Sequence, residues 1–206
     1  DTLDSFTSDG FQVDADVKVN TDTEDYVAWC WKESATAGLD IITYTGTGST
    51  LNVAHNLSAV PHFIMLFNRG NAARNHYIYH QNLTDDSNLK LDTTVAESTY
   101  SAGFIDAPTS SNVVVSSGGG GVILNVNITD DSYLLYVFAE KQGFSKFGSF
   151  VGNSNVDGPM IVTGMRPAWV MIKRIDVGDH WNIHDNKRVG YNVVTQDIYA
   201  DTTGAE

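Results

Sequence analysis

Apolar and polar residues alternate along this chain over short spans, and the spans predict strands. From Phe11 to Asn20, F-Q-V-D-A-D-V-K-V-N runs at period two. Phe11, Val13, Ala15, Val17 and Val19 are expected to face a core, with Gln12, Asp14, Asp16 and Lys18 in water. T21-D-T-E-D25 reads as a turn. Tyr26 to Trp31 is apolar on both faces, which suits a central strand covered on both sides. Leu39 to Tyr44 and Asn52 to Ala54 are further short strands, separated by a turn at G46-T-G-S49. Pro61 stands just ahead of Phe63 to Phe67, where its missing N–H does least harm to a strand. After the polar loop R69-G-N-A-A-R-N75 come strands around Tyr77-Ile78-Tyr79 and Leu89-Lys90-Leu91. No segment of ten or more residues holds a 3.6-residue period. Strands with turn signals at this spacing predict an all-β protein, an antiparallel sandwich or barrel.

The same phrases come twice. V60-P-H-F-I-M-L-F-N-R69 is answered by R166-P-A-W-V-M-I-K-R174, and H76-Y-I-Y-H80 by H180-W-N-I-H184. L39-D-I-I-T-Y-T-G46 is answered by F147-G-S-F-V-G152, and L89-K-L-D-T-T-V-A-E97 by I198-Y-A-D-T-T-G-A-E206. Pro61 matches Pro167 at an offset of 106, His80 matches His184 at 104, and Asp92 matches Asp201 at 109. Tyr26-Val27-Ala28-Trp29-Cys30-Trp31 matches the run from Tyr133 to Phe138 at 107. Offsets drifting this little are the mark of duplication. The expectation is two tandem, internally duplicated, sandwich-like modules, residues 1–98 and 99–206. The second differs by a longer loop near A107-P-T-S-S111 and by Gly118 to Gly121, expected as a hairpin tip.

Charge narrows the function classes. Against 25 acids stand 12 bases, a net of -13, so the basic footprint of a nucleic-acid binder is missing. No apolar run approaches the ~20 residues of a membrane-spanning helix. The single Cys30 excludes an intrachain disulfide and, inside an apolar run, is expected to be buried. The opening D1-T-L-D-S5 carries no signal-peptide pattern and begins as a segment of a longer polypeptide would.

Candidate chemistry is sparse. His76/His80 and His180/His184 repeat H-x-x-x-H, but four residues of strand span ~13 Å, too far for two rings to share one ion. N153-S-N-V-D-G158 resembles half a calcium loop, yet Gly164 stands where the bidentate Glu belongs, so a turn is expected. Asp85-Asp86 and Asp130-Asp131, each in T-D-D-S, are adjacent acids rather than a pair across a cleft. No nucleophile motif is present. No catalytic residue, metal or cofactor is therefore assigned. Trp29, Trp31, Phe63 and Trp169 read as core. Tyr77, Tyr79, His80, Trp181, His184 and Arg188 are the candidates for a ligand or receptor surface, being aromatic and polar residues beside basic loops.

A resemblance adds to this reading. S8-D-G-F11, V19-N-T-D-T-E-D-Y-V-A-W-C-W-K32, T43-Y-T-G-T-G-S49, E140-K-Q-G-F-S-K-F-G-S149, Asp157-Gly158-Pro159, G164-M-R-P-A-W-V-M-I-K-R174 and D185-N-K-R188 cover most of the chain. They resemble a repeated domain in structural proteins of marine and cyanobacterial tailed bacteriophages. A54-H-N-L57 departs from that pattern, where relatives tend to have H-G-L-G. The resemblance implies a non-enzymatic virion component, a tail fibre or other appendage presenting surfaces for host attachment, and it supplies no catalytic residues. Expected partners are other virion proteins, further copies of the chain (a trimer by analogy with phage fibres) and a host surface glycan or receptor, with neither nucleic acid nor membrane insertion. A lectin-like glycan-binding module is the alternative, and a polysaccharide depolymerase a third reading.

Overall fold

A computed structural model describes residues 2–99, 105–116, 125–188 and 195–203. Fourteen strands, and no helix, are found among them. The stretch expected as a hairpin tip, Gly118 to Gly121, lies outside the described residues. The chain divides into two compact units, Asp1–Trp31 and Lys32–Glu206, taken separately below.

The first unit holds one two-stranded antiparallel sheet, β1 (Leu3–Phe6) and β2 (Phe11–Val13), closed by Thr7 N–H donating to the Gly10 carbonyl at 2.9 Å. None of its described residues is buried. The strand expected from Phe11 to Asn20 stops at Val13, because Asp16 builds a turn instead. Its carbonyl accepts from the Val19 and Asn20 amides and its carboxylate from the Lys18 amide. Short acidic side chains compete with strand pairing in this way. Tyr26 to Trp31 corrects a second expectation: it forms no strand, and Tyr26, Cys30 and Trp31 are exposed. β-propensity reports fit to a pleated, half-buried surface, and among the described residues no strand pairs with this run.

The second unit is built on a six-stranded antiparallel sheet. It contains β3 (Leu39–Thr45), β5 (Phe63–Asn68), β6 (Tyr77–His80), β7 (Ser87–Lys90), β8 (Ser98–Thr99) and β11 (Ser132–Phe138), ordered β3-β11-β5-β6-β7-β8. β4 (Leu51–Ala54), β9 (Ile105–Asp106) and β10 (Asn112–Val115) form a three-stranded sheet, β4-β10-β9. A second three-stranded sheet is the meander of β12 (Trp169–Lys173), β13 (Trp181–Asp185) and β14 (Ile198–Tyr199).

Alternation places two cores on the two faces of the large sheet. Ile64 and Leu66 of β5, Tyr77 of β6, and Tyr133, Leu135 and Val137 of β11 pack with Val53, Ile105, Val113 and Val115 of the β4-β10-β9 sheet. On the other face Phe63 and Phe138, with Ile78 and Leu89, pack with Trp181 and Met171 of the meander. This explains the unbroken apolar runs of β5 and β11, whose neighbours on both faces are apolar. The β3–β11 pair is clipped at both ends by glycines. Ala139 N–H donates to the Gly38 carbonyl, and the Gly46 amide to the Asp131 carbonyl, each at 2.8 Å. A Cβ on Gly46 would meet the Ile128 carbonyl oxygen at 1.9 Å, so only glycine fits there.

Strands from both sides of residue 98 share the six-stranded sheet and the β4-β10-β9 sheet. β11 lies between β3 and β5, and β10 pairs with β4. The modules 1–98 and 99–206 are therefore not seen as two separate sandwiches. The repeat is visible instead as two antiparallel meanders, β5-β6-β7 and β12-β13-β14. Their registers differ by one residue. Phe63 pairs with His80, whereas Val170, not Trp169, pairs with His184. A one-residue slip exchanges the faces of a strand. Ile64 and Leu66 are core, while Val170 and Ile172, their matches at the Pro61–Pro167 offset, are exposed.

Candidate functional site

The six residues expected to form a surface are not brought together as one. Tyr77 and Trp181 are core side chains of two different clusters, on opposite faces of the large sheet. Trp181 donates its indole N–H to the Lys90 carbonyl at 2.8 Å, fastening β13 to β7. Tyr79 is half-buried against the first core, and burial, with Asp85 nearby, raises its pKa. His80 is half-buried, with Phe63 edge-on at 6.3 Å, and its Nδ1 accepts from the Asn82 amide. Burial and the neighbouring His62 hold its pKa below the ordinary value. His184 contacts the Gln196 carbonyl through Nδ1 at 3.1 Å.

Arg188 is a buried tie. Its Nε donates to Asp185 Oδ2 at 2.9 Å and an NH2 nitrogen to the Ile183 carbonyl, with both charged side chains over nine-tenths buried. Burial alone would raise the Asp185 pKa. The Lys187 and Arg188 amides and the guanidinium outweigh it and hold the carboxylate below its ordinary range. Charge-assisted bonds of this kind are the strong ones.

A second cluster surrounds His180, where β13 begins. Asp201 accepts from the Trp181 amide at 3.0 Å through one oxygen and pairs with His180 Nδ1 at 2.7 Å through the other. The Asp201 side chain is 1% exposed and that of His180 41%. The Tyr199 ring lies 4.6 Å from the imidazole. Burial opposes ionisation of Asp201, but the Trp181 amide and His180 win, so its pKa is lowered. Beside this pair, Lys173 Nζ donates to the carbonyls of Thr94, Arg174 and Asp179 at 3.2, 3.0 and 2.8 Å. Burial lowers the Lys173 pKa, against the pull of Asp179 and Asp201.

A His–Asp pair orients an imidazole, which is part of what general-base chemistry needs. Here the first meander repeats the acid without the pairing. Asp92 accepts from the His76 amide at 3.1 Å, while the His76 ring packs at 4.7 Å on Phe67. In both meanders the aspartate after the third strand caps the start of the middle one. Asp92 and Asp201 match in the sequence repeat, and their shared capping role is visible only in the fold.

Both T-D-D-S runs are turns, entering β7 and β11, with Asp86 and Asp130 at φ 62° and 65°. N153-S-N-V-D-G158 is a turn as well. The Asn155 amide donates to the Asn153 side chain and the Asp157 amide to the Asn155 side chain, at 3.0 and 3.1 Å. Trp31, expected in a core, is 48% exposed, whereas Phe63 is buried as expected.

The domain of unknown function DUF7483 matches residues 1–206, and the chain belongs to that family. No curated protein and no solved structure matches it.

Proposed function

We propose that the chain is a non-enzymatic virion structural protein of a tailed bacteriophage, part of a tail fibre or other appendage that presents surfaces for host attachment. It would be assembled in the host cytoplasm, carried in the virion, and work beside other virion proteins as a homo-oligomer, a trimer by preference. The observation that carries the structural half of this reading is how the charged groups of the second unit are used. Asp201, Lys173 and the Asp185–Arg188 pair all bind main-chain atoms that hold strands and loops in place. The phage half rests on the sequence phrases quoted above. The net charge of -13 argues against nucleic-acid or anionic-membrane partners. The matched meanders, with their paired aspartate caps, support an origin by duplication of modules 1–98 and 99–206.

The test is location. Antibodies against the chain are expected to decorate an appendage of intact particles, and label confined to the soluble fraction of host lysate would overturn the reading. A lectin-like role is the second reading, favoured by the partly exposed His180 ring beside Tyr199. A glycan array should then show binding that Tyr199→Ala abolishes. The third reading, a polysaccharide depolymerase, predicts shortened host polysaccharide after incubation with the chain; the virion reading predicts unchanged length.

A further inference from the structure

We propose that residues 148–165, the strap leading towards β12, form the contact through which one copy of this chain holds another. The proposal rests on the homo-oligomer reading above and locates its interface. Three observations carry it. First, among the described residues the strap makes no main-chain to main-chain hydrogen bond and pairs with no strand. Its own side chains meet the Asn155 and Asp157 amides and the Asp157 and Met165 carbonyls, and main-chain groups on either side of that turn are left for a partner. Second, its large side chains face outward. Val151, Val156 and Met160 are 88%, 101% and 88% exposed, with Phe150, Ile161 and Val162 also exposed, and none belongs to either core cluster. Such a number of outward apolar side chains is on the order needed to fill the ~800 Å² per partner of a specific interface. Exposed apolar surface of that extent marks an interaction site rather than ordinary solvent-facing chain.

The third observation selects the occupant. The chain carries a net charge of -13, yet residues 148–165 contain a single charged side chain, Asp157. Two copies repel over most of their surfaces and meet least like charge here, one Asp157 from each. An anionic membrane or nucleic acid would find no cation on the strap. A second copy finds an apolar, nearly uncharged surface, and every copy brings one.

Light scattering on the full chain at micromolar concentration tests this, comparing the wild type with a Val151→Asp/Met160→Asp variant. The expected result is a multimer for the wild type and a monomer for the variant, with unchanged circular dichroism. A wild-type multimer that the variant leaves intact would overturn the strap as the contact and leave the oligomer standing. A monomeric wild type would overturn both. If the variant fails to fold, cross-linking decides. A short bis-maleimide is expected to join copies carrying Val156→Cys on a Cys30→Ser background, and not copies carrying Asn52→Cys on β4. Equal joining of the two, or joining of neither, would overturn the proposal.

Discussion

Two meanders of the second unit, β5-β6-β7 and β12-β13-β14, grow from the same sequence phrases and are held by different forces. Each begins after a proline, runs a middle strand ending in or near the second histidine of H-x-x-x-H, and is capped by an aspartate beyond the third strand. The first lies inside the stack of sheets, so Ile64 and Leu66 enter one core and Phe63 and Ile78 the other. The second covers that stack on one side only. Trp181 and Ile183 are buried, while Val170 and Ile172 remain exposed. In place of a second apolar face it has Arg188 on Asp185, His180 on Asp201, and Lys173 on three carbonyls. Position in the stack, rather than the phrase itself, decides whether apolar burial or polar ties hold a strand.

The sharpest way to break this comparison is to remove a polar tie from the outer meander. Arg188→Met leaves Asp185 buried without its cation and is expected to cost about 3–5 kcal/mol in urea unfolding. A cost under about 1 kcal/mol would mean that the outer meander does not depend on its ion pair. Next comes a matched pair of apolar deletions. Ile64→Ala, at a fully buried position of β5, should cost about 2–5 kcal/mol, and Ile172→Ala on the exposed face of β12 less than about 1 kcal/mol. Equal costs would erase the distinction between the two meanders.

How much of this was legible beforehand depended on how local the deciding interaction is. β3, β4, β5, β6 and β7 fall on the expected strands because period and turn residues are local signals. The runs from Tyr26 and from Tyr133 match at an offset of 107, yet only the second became a strand, β11. β11 gained partners on both edges, β3 and β5, and composition cannot announce a partner. The placement of the six candidate surface residues was hidden for a related reason. An aromatic beside a polar loop reads the same whether its ring points outward or, like Tyr77 and Trp181, into a core. The one-residue slip between the meanders left no mark in the repeat, although it moved Val170 and Ile172 to the outer face.

A smaller effect compares the two caps. Asp201→Ala strands both the Trp181 amide and His180, and should cost about 1–3 kcal/mol; Asp92→Ala, which frees the His76 amide, should cost about 1 kcal/mol. Acid separates the two further. The Asp201 pKa is lowered on folding, so its contribution is complete above the unfolded value near 3.8 and fades as pH falls below that value towards the folded pKa. Unfolding midpoints between pH 5 and pH 2 should therefore fall less steeply in Asp201→Ala than in the wild type. An unchanged slope would show that Asp201 ionises as freely folded as unfolded.

The smallest expected effect lies in the inner meander and has a different pH window. His80 sits on β6 beside Phe63, close enough to His62 for like charge to matter, and both burial and that neighbour lower its pKa from 6.5. The unfolded chain therefore takes up the proton more readily than the folded one. The sign follows directly: stability is full above 6.5, falls as pH drops through 6.5 towards the folded pKa, and levels off below it. The groups facing this ring include His62, Phe63 and the Asn82 amide, none of which offers a carboxylate to hold an imidazolium. His80→Gln is expected to retain a side chain able to accept from Asn82 and to flatten the decline in melting temperature between pH 7 and pH 5, with little change at pH 7.5. A decline equally steep in the variant would mean that the pH response of the inner meander comes from another group, and that its two apolar faces tolerate a charge at the rim.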